Sequence, residues 1–564
     1  MQTGSSTPPA SRLIPRPQRI EAADDGVRFG SVEVTAEPSC ATAAEALTAL
    51  VPPGPAGDAA PLLVVVRLEP DEPGATTGDE PRDRPAEGYR LTVEGSTATI
   101  TGTDPAGAFY GAQTLLSLAA DGVLPRATVE DWPDLPWRGT IEGFYGPPWS
   151  HTDRLAHLAF AGRHKLNAYV YAPKDDPYHR KEWRTPYPEA ELARLAELVR
   201  AAERSHVRFV FSISPGLSMV YSDPAELDLL LAKMEQVRQV GVRDFALLFD
   251  DIPPELSHDA DVEAFGDAPG SSARAHAAVC RQVSDRFLRP HGLDRPLIMV
   301  PTDYAGTEAS PHRDLLAAEL PPEVLVWWTG RDIVVGDITR AEIDAAARSY
   351  DHELLLWDNF PVNDFDFPRL FLGPLLGRTG ELSGARFAGI TANPMPHEAA
   401  SEIAVATVAD WAWRLNGYEP ASAHARALDS VGASDAVRTL ARACASWPPS
   451  APQDPELSGL IDDASAGSAS AADHLRQRFS VMVAAAPDGE REPVDRLEAE
   501  VMPWLVAMAA MGRAGLAALD LLRAPGDAAA RTAAADAVAA AESHEQHNVL
   551  RSVVPPFVHA VLAR

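Results

Sequence analysis

Two adjacent aspartates, Asp250 and Asp251, end the apolar run FALLF, where a charge is expensive to bury. Two carboxylates sharing one site do not ionise independently, so one of the pair should hold its proton more tightly than a free aspartate. Such a pair has one proton to give and one negative charge to keep, the division of labour that glycoside hydrolysis needs. An Asp-Asp pair also serves as a helix cap or a solvated turn, and the pair alone leaves both readings open. Lys174-Asp175-Asp176 competes for the same role. Its aspartates read more readily as an exposed charged loop with a local salt bridge, and Lys174 as a substrate contact. His151, His164 and His179 lack metal-ligand spacing, and Gly143 with Gly146 is too weak a signal for a phosphate loop. Neither a metal nor a cofactor is expected.

The elements that must position these residues alternate from Arg138 onward. Eight β-rich runs, RGTIEGFYG, NAYVYAPKDD, RFVFSISPG, DFALLFDD, PLIMVPTDY, VLVWWTG, LLLWDNF and FAGITANP, are separated by amphipathic helical stretches. Near-continuous apolar runs suit parallel strands covered on both faces, and eight strand–helix units spell a (β/α)8 TIM barrel. Asp223-Pro224 opens one helix, with Leu227, Leu230, Leu231, Met234 and Val237 on its apolar face and Gly241 at its close. Thr339 and Glu342 form a potential capping box. The seventh unit is the weakest, because FPRLFLGPLLGRTGEL makes a poor helix. In such a barrel the active site lies at the C-terminal ends of the strands. Those ends carry Gly143, Tyr145, Lys174, Asp250, Asp251, Tyr304, Trp328, Trp357, Asn359, Asp364 and Asn393. Carboxylates, amides, a lysine, tyrosines and indole rings on one rim suit a sugar, whose hydroxyls need paired donors and acceptors and whose C–H face needs aromatic cover. Taken singly, Trp357 and Trp328 also read as core packing, Tyr304 as a satisfied core tyrosine, and Asn359 and Asn393 as turn formers.

The chain of 564 residues exceeds one ordinary domain. Residues 1–12 read as disordered and 13–130 as a small α+β domain. In it VRFGSVEVTAE and PLLVVVRLE are strands, RLTVEGSTATITG is a hairpin, and Asp104-Pro105 opens a helix. The Pro- and acid-rich stretch 70–84 reads as a solvated loop. The barrel is assigned to 131–415. From 416 to 564 strand signals stop, and a helical bundle is expected. The net charge of −31, without a basic block, argues against a nucleic-acid partner and disfavours polyanionic polymers. Three distant cysteines without a C-x-x-C indicate neither a zinc site nor a disulfide framework. No signal-peptide core or membrane span is read, Arg513 interrupting AMAAMGRAGLAALDLL, so a cytoplasmic protein without a membrane partner is expected. Oligomeric state is not readable.

The sequence resembles glycoside hydrolase family 84, the β-N-acetylglucosaminidases that include protein O-linked N-acetylglucosaminidases and their bacterial relatives. The resemblance is carried by EGFYGPPW from Glu142, NAYVYAPKDDPYHR from Asn167, SISPGL from Ser212, FALLFDDI from Phe245, PTDYAGT from Pro301, WTG from Trp328, LWDNFPVNDFD from Leu356 and TANP from Thr391. It covers about Arg138 to Leu415, and the preceding domain resembles the one that precedes the barrel here and in family 20 hexosaminidases. The resemblance implies a retaining exo-β-N-acetylglucosaminidase in which the substrate's acetamido group is the nucleophile. It gives Asp250 the acetamido N–H and Asp251 the acid/base role. It sets Tyr304 on the acetyl oxygen, Asn359 in support of that group and of Asp250, and Trp357 on the wall of the acetamide pocket. Gly143 (through its backbone), Lys174, Asp364 and Asn393 take the sugar hydroxyls. Asp303 stands where the family also has Glu. The implied partner is a glycan or glycoconjugate bearing N-acetylglucosamine. A hyaluronidase-like endo-hexosaminidase and a non-catalytic sugar-binding protein are the alternatives. The C-terminal region matches nothing nameable.

Overall fold

A computed structural model describes residues 9–50, 60–69, 84–119, 123–486 and 492–564. Of the segment expected to be unstructured at the start, Pro9–Arg12 wind into a 3-10 turn, which corrects that expectation for these four residues. Residues 1–8, and nearly all of the expected loop at 70–84, lie outside the described residues.

The N-terminal unit is a six-stranded mixed sheet. In chain order its strands are β1 (Arg19–Val27), β2 (Val32–Ala36), β3 (Leu62–Leu68), β4 (Tyr89–Glu94), β5 (Thr97–Gly102) and β6 (Leu124–Asp131). Their spatial order is β1-β6-β4-β5-β3-β2. Alternation of buried and exposed positions along β3, β4 and β5 leaves one apolar face. Helix Pro105–Leu118 covers that face, with Asp104 capping it by accepting from the Gly107 amide at 2.8 Å. Gly107 is required by the close approach, since a Cβ there would stand 2.0 Å from the Gly88 carbonyl oxygen.

Eight parallel strands then close a barrel: β7 (Trp137–Glu142), β8 (Ala168–Tyr171), β9 (Arg208–Ile213), β10 (Asp244–Leu248), β11 (Ile298–Val300), β12 (Leu325–Trp328), β13 (Leu354–Asp358) and β14 (Phe387–Ala392). Seven of them lie inside the runs read from the sequence, and β7 begins at Trp137, one residue before its run. β14 pairs with β7 to complete the ring, Thr391 opposite Gly139. Helix Pro224–Gln239 begins at an Asp223 cap and buries Leu227, Leu230, Met234 and Val237, with Leu231 partly buried. Thr339 and Glu342 form a reciprocal capping box. The seventh unit departs from the eightfold pattern. Among the described residues no helix lies between β13 and β14, and 359–386 is an irregular excursion. Phe360, Leu370, Phe371, Leu372, Leu375 and Leu382 of this excursion are buried, Phe360 and Phe371 against Trp447, while Phe365 and Phe367 are exposed, a pattern without helical spacing.

Sheet and barrel are joined by a buried polar cradle. Asp131, at the end of β6, accepts from the Tyr89 hydroxyl (2.6 Å), the Lys165 ammonium (2.8 Å), the Trp413 indole (2.8 Å) and the Gln18 amide (2.9 Å). Beside it Arg138, fully buried on β7, reaches Glu87 of the sheet unit at 2.5 Å. Buried charges are tolerated only when fully paired, and these are. Trp413 ends the last barrel helix, Glu398–Trp413, yet packs in the core of the sheet.

Beyond 415 the described elements are helices. Arg496–Arg523 is the one described helix long and apolar enough to cross a membrane, but 67% of its most apolar window is buried within the bundle. It packs against helices Ala469–Ala485, Ala528–Glu542 and Val554–Leu562.

Candidate active site

At the C-terminal mouth of the barrel is a cavity of about 290 Å³. Gly143 and Tyr145 reach it from β7, Lys174 from β8, Asp250 and Asp251 from β10, and Val300 and Tyr304 from β11. Thr329, Ile333 and Val334 follow β12, Trp357, Asn359, Val362, Asp364 and Phe365 come from β13 and its excursion, and Asn393 follows β14. The nine residues selected from the sequence therefore line one space. The end of β9 contributes no lining residue. Trp328 is fully buried, its indole donating to the Gly306 carbonyl at 2.7 Å, so it is core and not a platform.

The two central carboxylates are not equivalent. The Asp250 side chain is 7% exposed and that of Asp251 34%. Asp250 Oδ2 accepts from the Lys174 ammonium at 2.8 Å, while its buried Oδ1 has no partner among the described residues. Burial pushes the Asp250 carboxyl up. The Lys174 charge and hydrogen bond, helped by the more distant Arg180 guanidinium, outweigh that and hold it below the usual carboxylate range. The sequence argument placed the asymmetry in a raised member of the pair. In the structure it shows as a lowered Asp250, because the deciding neighbour is a cation supplied by β8. Lys174 is itself desolvated, but Asp250, Tyr145 and Asp251 keep its pKa above that of a free lysine.

Asp251 turns into the cavity on a left-handed backbone, φ 52°, which aspartate tolerates better than most residues. Its Oδ2 accepts from the Tyr145 hydroxyl at 2.7 Å and its Oδ1 from the Tyr304 hydroxyl at 3.1 Å. Burial, then the charge of Asp251, raise the Tyr304 phenol. Opposite, the Trp357 indole donates to Asn359 Oδ1 (3.0 Å), which also accepts from Asn393 Nδ2 (2.9 Å); Asn393 Oδ1 in turn accepts from the Gly143 amide (3.3 Å). Asn359 also donates to the Ile333 carbonyl at 2.8 Å. Its partners among the described residues are thus Trp357, Asn393 and Ile333, with no hydrogen bond to Asp250. Gly143 is required there, because a Cβ would stand 2.5 Å from the Trp357 ring. Asp364 accepts from the Tyr145 amide at 2.8 Å, and burial raises its pKa.

Tyr145 was placed on the rim from the sequence but given no role, and Arg180 and the apolar lining residues Val300, Ile333, Val334, Val362 and Phe365 were not selected. Tyr145 touches Asp251, and Arg180 Nη1 donates to the Tyr145 hydroxyl at 3.3 Å. The position of Tyr145 in the GFYG strand end was the available signal; Arg180 sits in a loop whose course no local pattern fixes. The competing aspartates are accounted for structurally. Asp175 is exposed. Asp176 accepts from the hydroxyls of Tyr171 (2.8 Å) and Tyr187 (2.7 Å) and from the Tyr178 amide (2.8 Å), bracing the loop that delivers Lys174. His179 is buried, keeps a pKa near 4 through desolvation, and bonds to the Ser212 carbonyl at 2.8 Å. Among the described residues no group of three or more His, Cys, Asp or Glu has the arrangement of a metal site.

Residues 138–443, more than half of the chain, match the family model for beta-N-acetylglucosaminidases. The chain belongs to glycoside hydrolase family 84. Within family 84, solved structures align along nearly the whole chain: CpGH84B at 26% identity with TM-score 0.85, over 97% of this chain and 99% of that one. A variant of the Thermobaculum terrenum O-GlcNAc hydrolase aligns at 29% identity and TM-score 0.69, over 76% and 94%. The Protein O-GlcNAcases of Rattus norvegicus and Mus musculus are each 37% identical over 279 residues, 48% of this chain. The chain spans only 29% of the length of those two proteins. Residues 10–132 match the model for domain 2 of glycosyl hydrolase family 20.

In a family 84 barrel whose buried aspartate is held ionised by one lysine, removing that lysine has a defined pH signature. Lys174→Met leaves burial as the dominant influence on Asp250, so its pKa rises. If activity requires ionised Asp250, the acidic limb of the kcat/KM profile moves to higher pH. A profile from pH 3 to 9 measures this; an unmoved acidic limb assigns that limb to another group.

Proposed function

We propose that this protein is a retaining exo-β-N-acetylglucosaminidase acting on terminal β-linked N-acetylglucosamine of a glycoconjugate through an oxazoline intermediate. The observation that carries the reading is the unequal aspartate pair: Asp250 is buried, cation-paired and holds one unpartnered oxygen, and Asp251 is exposed to the cavity between two phenols. An ionised carboxylate with a free buried acceptor suits an amide N–H, and a cavity-facing carboxyl suits proton exchange with a leaving group and water.

The steps follow from these properties. Asp250 accepts the acetamido N–H and orients the group. The acetamido carbonyl oxygen attacks the anomeric carbon, and the glycosidic oxygen leaves with the proton of Asp251. The positive charge gained by the oxazoline nitrogen is balanced by Asp250. Asp251, now ionised, takes a proton from water as that water attacks the anomeric carbon and the oxazoline opens. Two inversions give net retention. The Tyr304 hydroxyl, which donates to Asp251 at 3.1 Å, turns its proton to the acetyl oxygen when substrate binds, and the Trp357–Asn359–Asn393–Gly143 chain stiffens the opposite wall. Lys174, Asp364 and Asn393 offer donors and acceptors to the ring hydroxyls. A cavity at the small end of ligand sites, about 300–1,000 Å³, supports one terminal sugar over an endo-acting polymer cleft, as does the net charge of −31 against a polyanion. The names of the matched relatives favour an aglycone of the O-linked glycoconjugate class.

The test is turnover of 4-nitrophenyl β-N-acetylglucosaminide together with inhibition by a cyclic thiazoline that mimics the oxazoline. Competitive inhibition far tighter than substrate binding is expected, because an intermediate mimic captures the stabilisation built for the intermediate. Hydrolysis that proceeds without inhibition at saturating thiazoline would remove the oxazoline from the mechanism.

A further inference from the structure

The geometry points to Trp447, in the C-terminal region beyond the matched 138–443 segment, as a positioning residue that fixes both loops forming one wall of the sugar cavity. Its activity readouts rest on the hexosaminidase reading above. The wall consists of Ile333 and Val334 on the loop after β12, and of Asn359, Val362, Asp364 and Phe365 on the helix-free excursion after β13. Trp447 touches both. Its indole donates to the Val335 carbonyl at 3.0 Å, one residue from Val334. Its ring packs edge-on against Phe360 (5.1 Å) and Phe371 (4.9 Å), and Phe371 in turn packs at 6.0 Å against cavity-lining Phe365.

Neighbours of Trp447 extend the same strap. The Leu372 amide donates to the Cys444 carbonyl at 2.9 Å, Arg369 Nη1 donates to the Pro449 carbonyl at 2.7 Å and its Nη2 to Ser446 Oγ at 3.3 Å. A Cβ on Gly336 would stand 2.9 Å from Pro448, and one on Gly373 would stand 2.2 Å from the Ala445 carbonyl oxygen, so both loops lie directly on residues 444–449. In an ordinary barrel unit a following helix holds its loop against the sheet; the seventh unit has none, and the strap takes that place. Asp364 rides on this excursion and also holds the Tyr145 amide, so loosening the strap reaches the phenol beside Asp251.

The experiment uses the full chain carrying Trp447→Ala or Trp447→Phe. Amide hydrogen exchange is followed over residues 329–338 and 359–386, with 244–252 as reference. KM and kcat are measured on 4-nitrophenyl β-N-acetylglucosaminide and on its 4-epimer, the galactosaminide. Both loops should exchange faster while the reference does not. KM should rise about five- to tenfold, the order of one lost hydrogen bond, since the Val335 carbonyl keeps Arg378 Nη2 at 3.4 Å, with kcat on the activated substrate little changed and the preference between epimers reduced. Trp447→Phe, which keeps an aromatic ring but no donor, should fall between wild type and Trp447→Ala. Unchanged exchange and KM in a folded variant overturn the proposal. So does a fall in kcat alone with KM and epimer preference intact, which is the mark of fewer folded molecules. Should Trp447→Ala not fold, Trp447→Phe decides by the same criteria. Should the wild-type protein hydrolyse neither epimer, the hexosaminidase reading fails while the exchange comparison still decides the strap.

Discussion

Replacing the 2-acetamido group of an aryl glycoside by a hydroxyl is expected to lower kcat/KM by about 10⁵-fold or more, the scale of effective molarity for a well-placed intramolecular nucleophile. The carboxylates lining the cavity are Asp250, Asp251 and Asp364. Asp250 is buried and tied to Lys174, Asp251 is needed to exchange the proton, and Asp364 is engaged by the Tyr145 amide with a raised pKa. None is left as an independent nucleophile, so the glucoside has nothing to attack its anomeric carbon. The measurement is kcat/KM for the two 4-nitrophenyl glycosides at one pH. Values within tenfold of each other would mean that one of these carboxylates attacks directly, and Asp364 would be the first to replace.

The second large effect separates the two aspartates by leaving group. Asp251→Ala should cost about 10²- to 10⁴-fold on substrates with poor leaving groups, the usual contribution of general acid catalysis. An activated aryl group departs with little protonation and should lose far less in the first step. Asp250→Ala should slow good and poor leaving groups alike, because it removes the group that orients the acetamide and balances the charge of the oxazoline. A plot of log kcat/KM against leaving-group pKa checks both. The Asp251 variant should give the steeper negative slope. A steeper slope for Asp250→Ala would exchange the assignments, and full activity in both variants would place the chemistry outside this pair.

The barrel was legible because a parallel strand buried on both faces leaves a nearly unbroken apolar run, and each of β7 to β14 left one. The site followed because the polar residues that interrupt such a run mark strand ends, and in a barrel the ends converge. That reasoning reached Asp250, Lys174 and Trp357 without any knowledge of their distances. It did not reach Tyr145 as a partner of Asp251, since a phenol beyond a strand end reads the same whether it packs or reacts. It did set Lys174 apart from the two aspartates of its charged triplet, but it expected a local salt bridge for them and not an Asp176 held by two tyrosines, one of them, Tyr187, eleven residues away. The weak helical pattern of FPRLFLGPLLGRTGEL was visible. What replaces the helix, residues 444–449, lies some eighty residues further on and carries no periodic signature. Long-range contacts between irregular segments leave no local pattern to read.

The Asp131 cradle bears on how this architecture is able to vary. A module that is exchanged between proteins needs a seam at which each side keeps its own interior. Here the tryptophan that finishes the barrel is part of the sheet's interior, and the carboxylate that finishes the sheet is neutralised by a lysine from the barrel. Grafting either piece onto another host would strand a charge in an apolar setting and open a hole where Trp413 sat. A graft of either piece would therefore have to carry Asp131, Lys165 and Trp413 together. The sugar cavity lies at the opposite end of the barrel, so substitutions in its lining leave that joint closed.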